Sequence, residues 1–298
     1  MGIIMKNKFF DINIDSKYKG ILFMVLSAFC FALMSMFVRL SGDLPSIQKS
    51  FFRNFVALIF AVILIKKNGD SFSGKRQNIK FLVIRAAAGT MGILCNFYAV
   101  DNLVLADASI LNKMSPFFAI IFSFFVLHEK VKLPQIGILT GAFLGALLIL
   151  KPGGESLISV PALVGLIGGM MAGLAYTYVR KLGENGEKGA FVVAFFSGFS
   201  CLVTLPFLIF SYHAMTAWQI AYLLFAGLAA AGGQFSITAA YFHAPAREIS
   251  VYDYSQIIFS ASLGFVVFGQ IPDIFSFAGY VVICLMAVLM FIYNKNKQ

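Results

Sequence analysis

The chain repeats itself. Val38 and Arg39 recur as Val179 and Arg180, and Ser109, Phe118 and Phe124 recur as Ser250, Phe259 and Phe265, all at one interval of about 141 residues. Each copy holds five long apolar stretches. They run approximately over 20–40, 46–65, 79–100, 106–127 and 134–150, then over 161–180, 188–210, 218–241, 249–268 and 274–293. A run of about 20 apolar residues crosses a bilayer as one helix. Five is odd, so the second copy must traverse the membrane in the opposite sense to the first. Inverted repeats of this kind enclose a central site that can face each side in turn. The expected fold is an all-α membrane protein with ten transmembrane helices as two inverted five-helix repeats. The expected organisation is an N-terminal segment over 1–19, repeats over 20–150 and 161–293, and a tail over 294–298.

Composition agrees with this pattern. The chain is 60% hydrophobic and 12% charged, with a mean hydropathy of +0.87. That is too little charge to cover a soluble protein of 298 residues. Membrane β-strands are excluded because the apolar runs are continuous rather than alternating.

The net charge of +10 would suit a nucleic-acid binder, but its placement argues against one. With the N-terminus in the cytoplasm, 17 of the 23 basic residues fall in cytoplasmic segments, among them Lys19, Lys66, Lys67, Lys75, Arg76, Lys130, Lys132 and Lys188. Only Arg39, Lys49 and Lys151 fall in outer loops. This bias sets both termini on the cytoplasmic side. The first apolar run has full span length and no small-residue cleavage site after it, which argues against a removed signal segment. The lack of any Asn-x-Ser/Thr acceptor fits a bacterial inner membrane.

Catalytic and metal motifs are missing from the sequence. His128 and Glu129 lack the second His of a zinc helix, the four cysteines lie in separate spans, and there is no GxSxG or GxxxxGK[ST] loop. Neither an enzyme activity nor a cofactor or resident metal is expected. Any transport must draw on an ion gradient, with the proton as the candidate coupling ion, on counter-exchange, or on the substrate's own gradient.

Arg85–Val131, RAAAGTMGILCNFYAVDNLVLADASILNKMSPFFAIIFSFFVLHEKV, resembles the EamA branch of the drug/metabolite transporter superfamily. Asp253–Asp273, DYSQIIFSASLGFVVFGQIPD, is similar to the family's second copy, and Phe52-Arg53-Asn54-Phe55 resembles the start of its second helix. The resemblance covers residues 20–293. It implies ten helices in two inverted repeats around a substrate cavity. One departure is visible: the Glu that closes the fourth helix is present as Glu129, but its repeat mate is Gln270.

Polar residues inside the spans are the candidates for chemistry. A charge at mid-membrane costs roughly 2.5–3.5 kcal/mol, so such groups should face a cavity or a partner. Four qualify: Arg53, Arg85, Lys113 and Asp253, which together carry +2. Counted at about 1.5 Å per residue, Arg53 and Lys113 lie about 10 Å below the outer surface, and Arg85 and Asp253 lie in the inner half. An Arg85–Asp253 ion pair is open on this count, while Arg53 and Lys113 have no acid at their level. The excess suits an anionic substrate group such as a carboxylate or phosphate. Structural alternatives stand beside these roles: Arg53 and Arg85 are near enough to span ends to snorkel, and Asp253 is either a proton-coupling acid or a fixed partner of Arg85.

Helical spacing extends the site. Ser109, Asn112, Lys113 and Pro116 share a face of the fourth span, and Asp253, Gln256 and Ser260 share a face of the ninth. Asn96 and Tyr176 are further lining candidates. Pro116 is expected as a hinge in mid-span, an asymmetric one because its repeat mate is Ile257. Glycine trios at 137, 141 and 145 and at 165, 169 and 173 mark either internal packing faces or a self-association face, so monomer and homodimer are both open. The expectation is a secondary transporter of a small anionic or zwitterionic metabolite, such as an amino acid or nucleotide-like compound, more readily an exporter. An importer or exchanger of the same fold, or a membrane protein that binds without transporting, are the alternatives.

Overall fold

The computed structural model describes residues 16–103, 105–150, 159–269 and 271–295. Most of the expected segment 1–19, together with Lys151 and Gln270, lies outside the described residues. The described chain is helical throughout. In hydrocarbon every backbone N–H and C=O must be paired within its own segment, and long apolar runs reach that state only as helices. The elements are α1 (Ser16–Leu40), α2 (Ser46–Asn68), α3 (Ile79–Asn102), α4 (Leu105–Asn112), α5 (Ser115–Leu127), α6 (Leu133–Leu150), α7 (Val160–Glu184), α8 (Gly189–Phe210), α9 (Ala217–His243), α10 (Ala246–Ile249), α11 (Ser255–Phe268) and α12 (Ile274–Lys295). Two crossings are composite: α4 with α5, and α10 with α11 through a 3-10 turn at Ser250–Tyr254. Counted so, nine spans among the described residues are long and apolar enough to cross a membrane, and the shorter apolar helix α6 completes ten.

The two broken spans differ from the continuous helices expected over 106–127 and 249–268. In the first, Pro116 sits in the opening turn of α5, where its missing N–H costs nothing. It begins a helix after the turn at Lys113 and Met114 and does not kink one in mid-course. The second span breaks at the repeat-equivalent place without any proline, so the interruption is symmetric, contrary to the expectation. Even the caps repeat. His128 after α5 (φ 55) and Gly269 after α11 (φ 64) are repeat mates, and both adopt the left-handed conformation. Histidine is among the non-glycine residues that tolerate it.

Packing follows the repeat. α1 lies along α9 as α7 lies along α3, and α4 and α5 lie on α7 as α11 lies on α1. α2 pairs with α8 and α6 with α12, each helix meeting its own repeat mate. Exchanging the halves leaves this pattern unchanged, as a two-fold axis in the membrane plane requires. The start of α1 and the end of α12 lie together at one end of the bundle, where Tyr18 meets Phe291, here called the base, and the opposite end is the rim.

The glycines of the trios pack within the chain, except Gly137, which has nothing within 4 Å. A methyl group added at Gly173 would come 2.8 Å from the Ser115 carbonyl oxygen, and one at Gly165 would meet Leu111 at 2.9 Å. Gly145 lies against Gly279 and Val282 of α12. These close approaches press α7 directly onto the break in the fourth span. Large apolar side chains such as Phe125, Leu202 and Val266 are exposed on the outside, as a lipid-facing surface requires.

Candidate functional site

The fourth and ninth spans break where the halves meet. In the fourth, the Phe117 amide donates to the Met114 carbonyl instead of continuing the helical register back to Lys113. The freed Lys113 carbonyl accepts a hydrogen bond from the Tyr254 hydroxyl at 2.9 Å. Tyr254 is the repeat mate of Lys113, so the two-fold axis brings the breaks face to face. Discontinuous helices at mid-depth leave backbone groups available for such contacts.

This arrangement decides the partner of Asp253. The Lys113 ammonium donates to Asp253 Oδ2 at 2.8 Å, to Gln256 Oε1 at 2.8 Å and to the Asp253 carbonyl at 3.3 Å. An ammonium has three protons, and all three are taken. The ion pair is therefore Lys113–Asp253, not Arg85–Asp253. Depth counted at a constant helical rise fails here because both spans are interrupted, one by a turn and one by a 3-10 segment with a longer rise of about 2.0 Å.

Arg85 is 2% exposed and does not snorkel. Its Nη2 donates to Gln234 Oε1 at 3.2 Å, and its guanidinium carbon stands 3.8 Å from the centre of the Phe196 ring. Gly89, one turn further along α3, leaves the room that the guanidinium occupies; a methyl there would collide with Nη1. Arg53 on α2 also turns inward.

These side chains surround one cavity of about 140 Å³ between the halves. Arg53, Arg85, Asn96, Asn112, Lys113, Tyr176, Asp253 and Gln256 all line it. Ser109 and Pro116 do not: Ser109 stands one turn towards the rim, and Pro116 is buried in the first turn of α5. Tyr176 stacks on Tyr241 with ring centres 5.3 Å apart, which backs one wall with a rigid aromatic pair. Gln234 and Phe196 were not among the expected residues. Gln234 carried a signal, an amide amid the small apolar residues of the eighth span. Phe196 carried none among 34 phenylalanines.

The base is closed by a second set of contacts. Glu187, 7% exposed, accepts from Asn78 Nδ2 at 2.8 Å and from the Lys75 amide at 3.2 Å, and Asn185 Nδ2 donates to Asn78 Oδ1 at 2.8 Å. Arg180 Nη1 donates to the carbonyls of Tyr241 and Phe242 at 3.2 and 3.0 Å, while its Nε lies 3.6 Å from Glu129 and 3.2 Å from Glu184. Burial pushes the Glu129 carboxyl above its ordinary range, against the pull of the Arg247 and Arg180 charges. At the rim, Arg39, the repeat mate of Arg180, lies over the Phe268 ring at 4.5 Å. Among the described residues no group of three or more His, Cys, Asp or Glu side chains is arranged to hold a metal ion.

Residues 18–151 match the model of the EamA-like transporter family. The chain is 33% identical over 282 residues to the pseudopaline exporter CntI of Pseudomonas aeruginosa, covering 93% of this chain and 97% of that protein. It is 25% identical over 289 residues to human solute carrier family 35 member G1, covering 90% and 77%. It is also 25% identical over 289 residues to a riboflavin transporter of Vibrio cholerae, covering 94% and 95%. A solved crystal structure shares the fold with a TM-score of 0.82 at 13% identity, over 92% of this chain and 98% of that one.

Proposed function

Because this chain belongs to the EamA-like transporter family of the drug/metabolite transporter superfamily, we propose that it moves a small anionic or zwitterionic metabolite by alternating access through the cavity between its halves. It is a multi-pass membrane transporter and not an enzyme. One observation carries the finer reading: eight polar or charged side chains drawn from five spans converge on one cavity between the halves. The bilayer disfavours each of them individually, and a solvated substrate path is the circumstance that accommodates them together.

The base is the cytoplasmic end, and the membrane is the cell's inner membrane. Lys66, Lys67, Lys75, Arg76, Lys130 and Lys188 gather there, which supports this orientation through the positive-inside rule. The cavity residues nearest the rim, Met34, Arg53, Asn96 and Phe97, then mark the external approach, and the base contacts form the cytoplasmic closure. Repeats 20–150 and 161–293 are the two moving bodies. Export is the favoured direction, supported by the exporter among the relatives.

Lys113 belongs to the first half and Asp253 to the second, so their bond must change whenever the halves rock. Proton uptake by Asp253 would release Lys113 and couple transport to a proton gradient. Purified protein in liposomes, screened by counterflow against amino acids, nucleobases and nucleotide-like metabolites, should exchange at least one anionic or zwitterionic solute. Binding without any exchange would reduce the protein to a receptor. Asp253→Asn should abolish the dependence of flux on the proton gradient; a variant that keeps it would remove Asp253 from coupling.

A further inference from the structure

The cavity wall carries two cations for which no described residue supplies a counter-charge. Arg53 makes no hydrogen bond or ion pair with any described residue, and its Nε is buried without a partner. Arg85 has one neutral acceptor, Gln234, and its Nε is likewise buried and unpartnered. Asp253, the one carboxylate among the described lining residues, is committed to Lys113. Buried charge without compensation is among the costliest arrangements in a folded chain, and more so in a membrane. Such a wall is complete only when anionic groups arrive from outside.

The number and placement of those groups follow from the helices. α2 and α3 are antiparallel. Arg53 lies seven residues from the rim end of α2, and Arg85 six residues from the base end of α3. Across a span of about 30 Å this sets their backbone levels roughly 10 Å apart. Both side chains nonetheless line the same cavity, together with Tyr176. A guanidinium presents a planar fork that matches a carboxylate edge to edge. The same wall also carries neutral hydrogen-bonding groups, Asn96, Asn112 and Tyr176. One compact anion can engage one fork at full strength. A chain with a carboxylate at each end engages both.

We infer that the substrate is an elongated dianion, with one terminal carboxylate held by Arg53 and the other by Arg85. This rests on the cavity being the transport site. The geometry also separates specificity from assembly: Lys113 joins the halves, while the two arginines select the solute.

The test uses purified full-length protein in nanodiscs. The probes are succinate, glutarate, adipate and pimelate, each against the monocarboxylate of the same chain length, with inorganic phosphate and putrescine as further ligands. One length should bind about tenfold or more tightly than its monocarboxylate, the scale of one charged hydrogen-bonded contact. Arg53→Gln and Arg85→Gln should each erase that difference, and Arg53→Lys, which keeps the charge, should retain part of it if the glutamine variant misfolds. Equal binding of mono- and dicarboxylates, binding of phosphate or putrescine alone, or no binding by any dicarboxylate overturns the assignment. Counterflow separates the two readings. Exchange of a cationic or neutral solute with no dicarboxylate exchange leaves transport intact and removes the dianion. Dicarboxylate binding without exchange keeps the dianion site and removes transport.

Discussion

Lys113 and Asp253 show how much of a residue's role is set by what faces it. The pair is largely buried, with side chains 9% and 14% exposed, and it ties the first half of the chain to the second. Removing one partner strands the other charge in a low-dielectric site, at a cost of about 3–5 kcal/mol. Lys113→Met and Asp253→Leu should each destabilise on that scale, whereas the double variant should recover most of the loss, as judged by thermal unfolding in one detergent. Additive losses would mean that the two charges do not depend on each other. The charged members of the site were legible in the sequence because a charge within an apolar run is costly wherever it points. Their pairing was not. Arg85 and Asp253 share a level on paper, but the facing breaks deliver Asp253 to Lys113, and Arg85 turns instead to Gln234 and Phe196. A phenylalanine that stacks on a guanidinium looks the same in sequence as one that faces lipid.

At the level of elements, the spans themselves could be read because the bilayer dictates their length and apolarity. Their interruptions could be read only in part. Pro116 announces the break in the fourth span, but the break in the ninth is set by tertiary contacts, with Tyr254 reaching Lys113, and has no local sequence marker. Glycine spacing on α7 foretold close approach, and the structure supplies the partner, the broken fourth span itself. Gly173→Val should therefore be severe, costing on the order of 1–3 kcal/mol or more, because the added atoms meet the backbone at Ser115 and Ala119. Gly137 has nothing within 4 Å of where a methyl would stand. Gly137→Ala should be neutral or stabilising by about 0.5–1 kcal/mol through helix propensity. Equal effects of the two substitutions on thermal unfolding would contradict the packing assigned to these two glycines.

Across the whole molecule, one set of contacts between the halves lies at the base. Asn78, Asn185 and Glu187 knit the loop before α3 to the loop before α8, and Arg180 clamps the ends of α7 and α9 near Glu129. These ends must part for the cavity to open towards the base. A disulfide between Asn78→Cys and Asn185→Cys should arrest counterflow while leaving ligand binding from the rim side unchanged, and reduction should restore flux. Unimpaired flux in the oxidised protein would place the moving contacts elsewhere.

The two halves have also drifted apart at their junction, with Asn112 standing where its counterpart is Asp253, and Lys113 where its counterpart is Tyr254. A homodimer of first halves would oppose lysine to lysine with no acid between them, and a homodimer of second halves would bring two aspartates together with no base. Divergence has made each half an obligate mate of the other. Expressed as separate polypeptides, the halves should assemble only when both are present, and transport should return only in that mixed assembly.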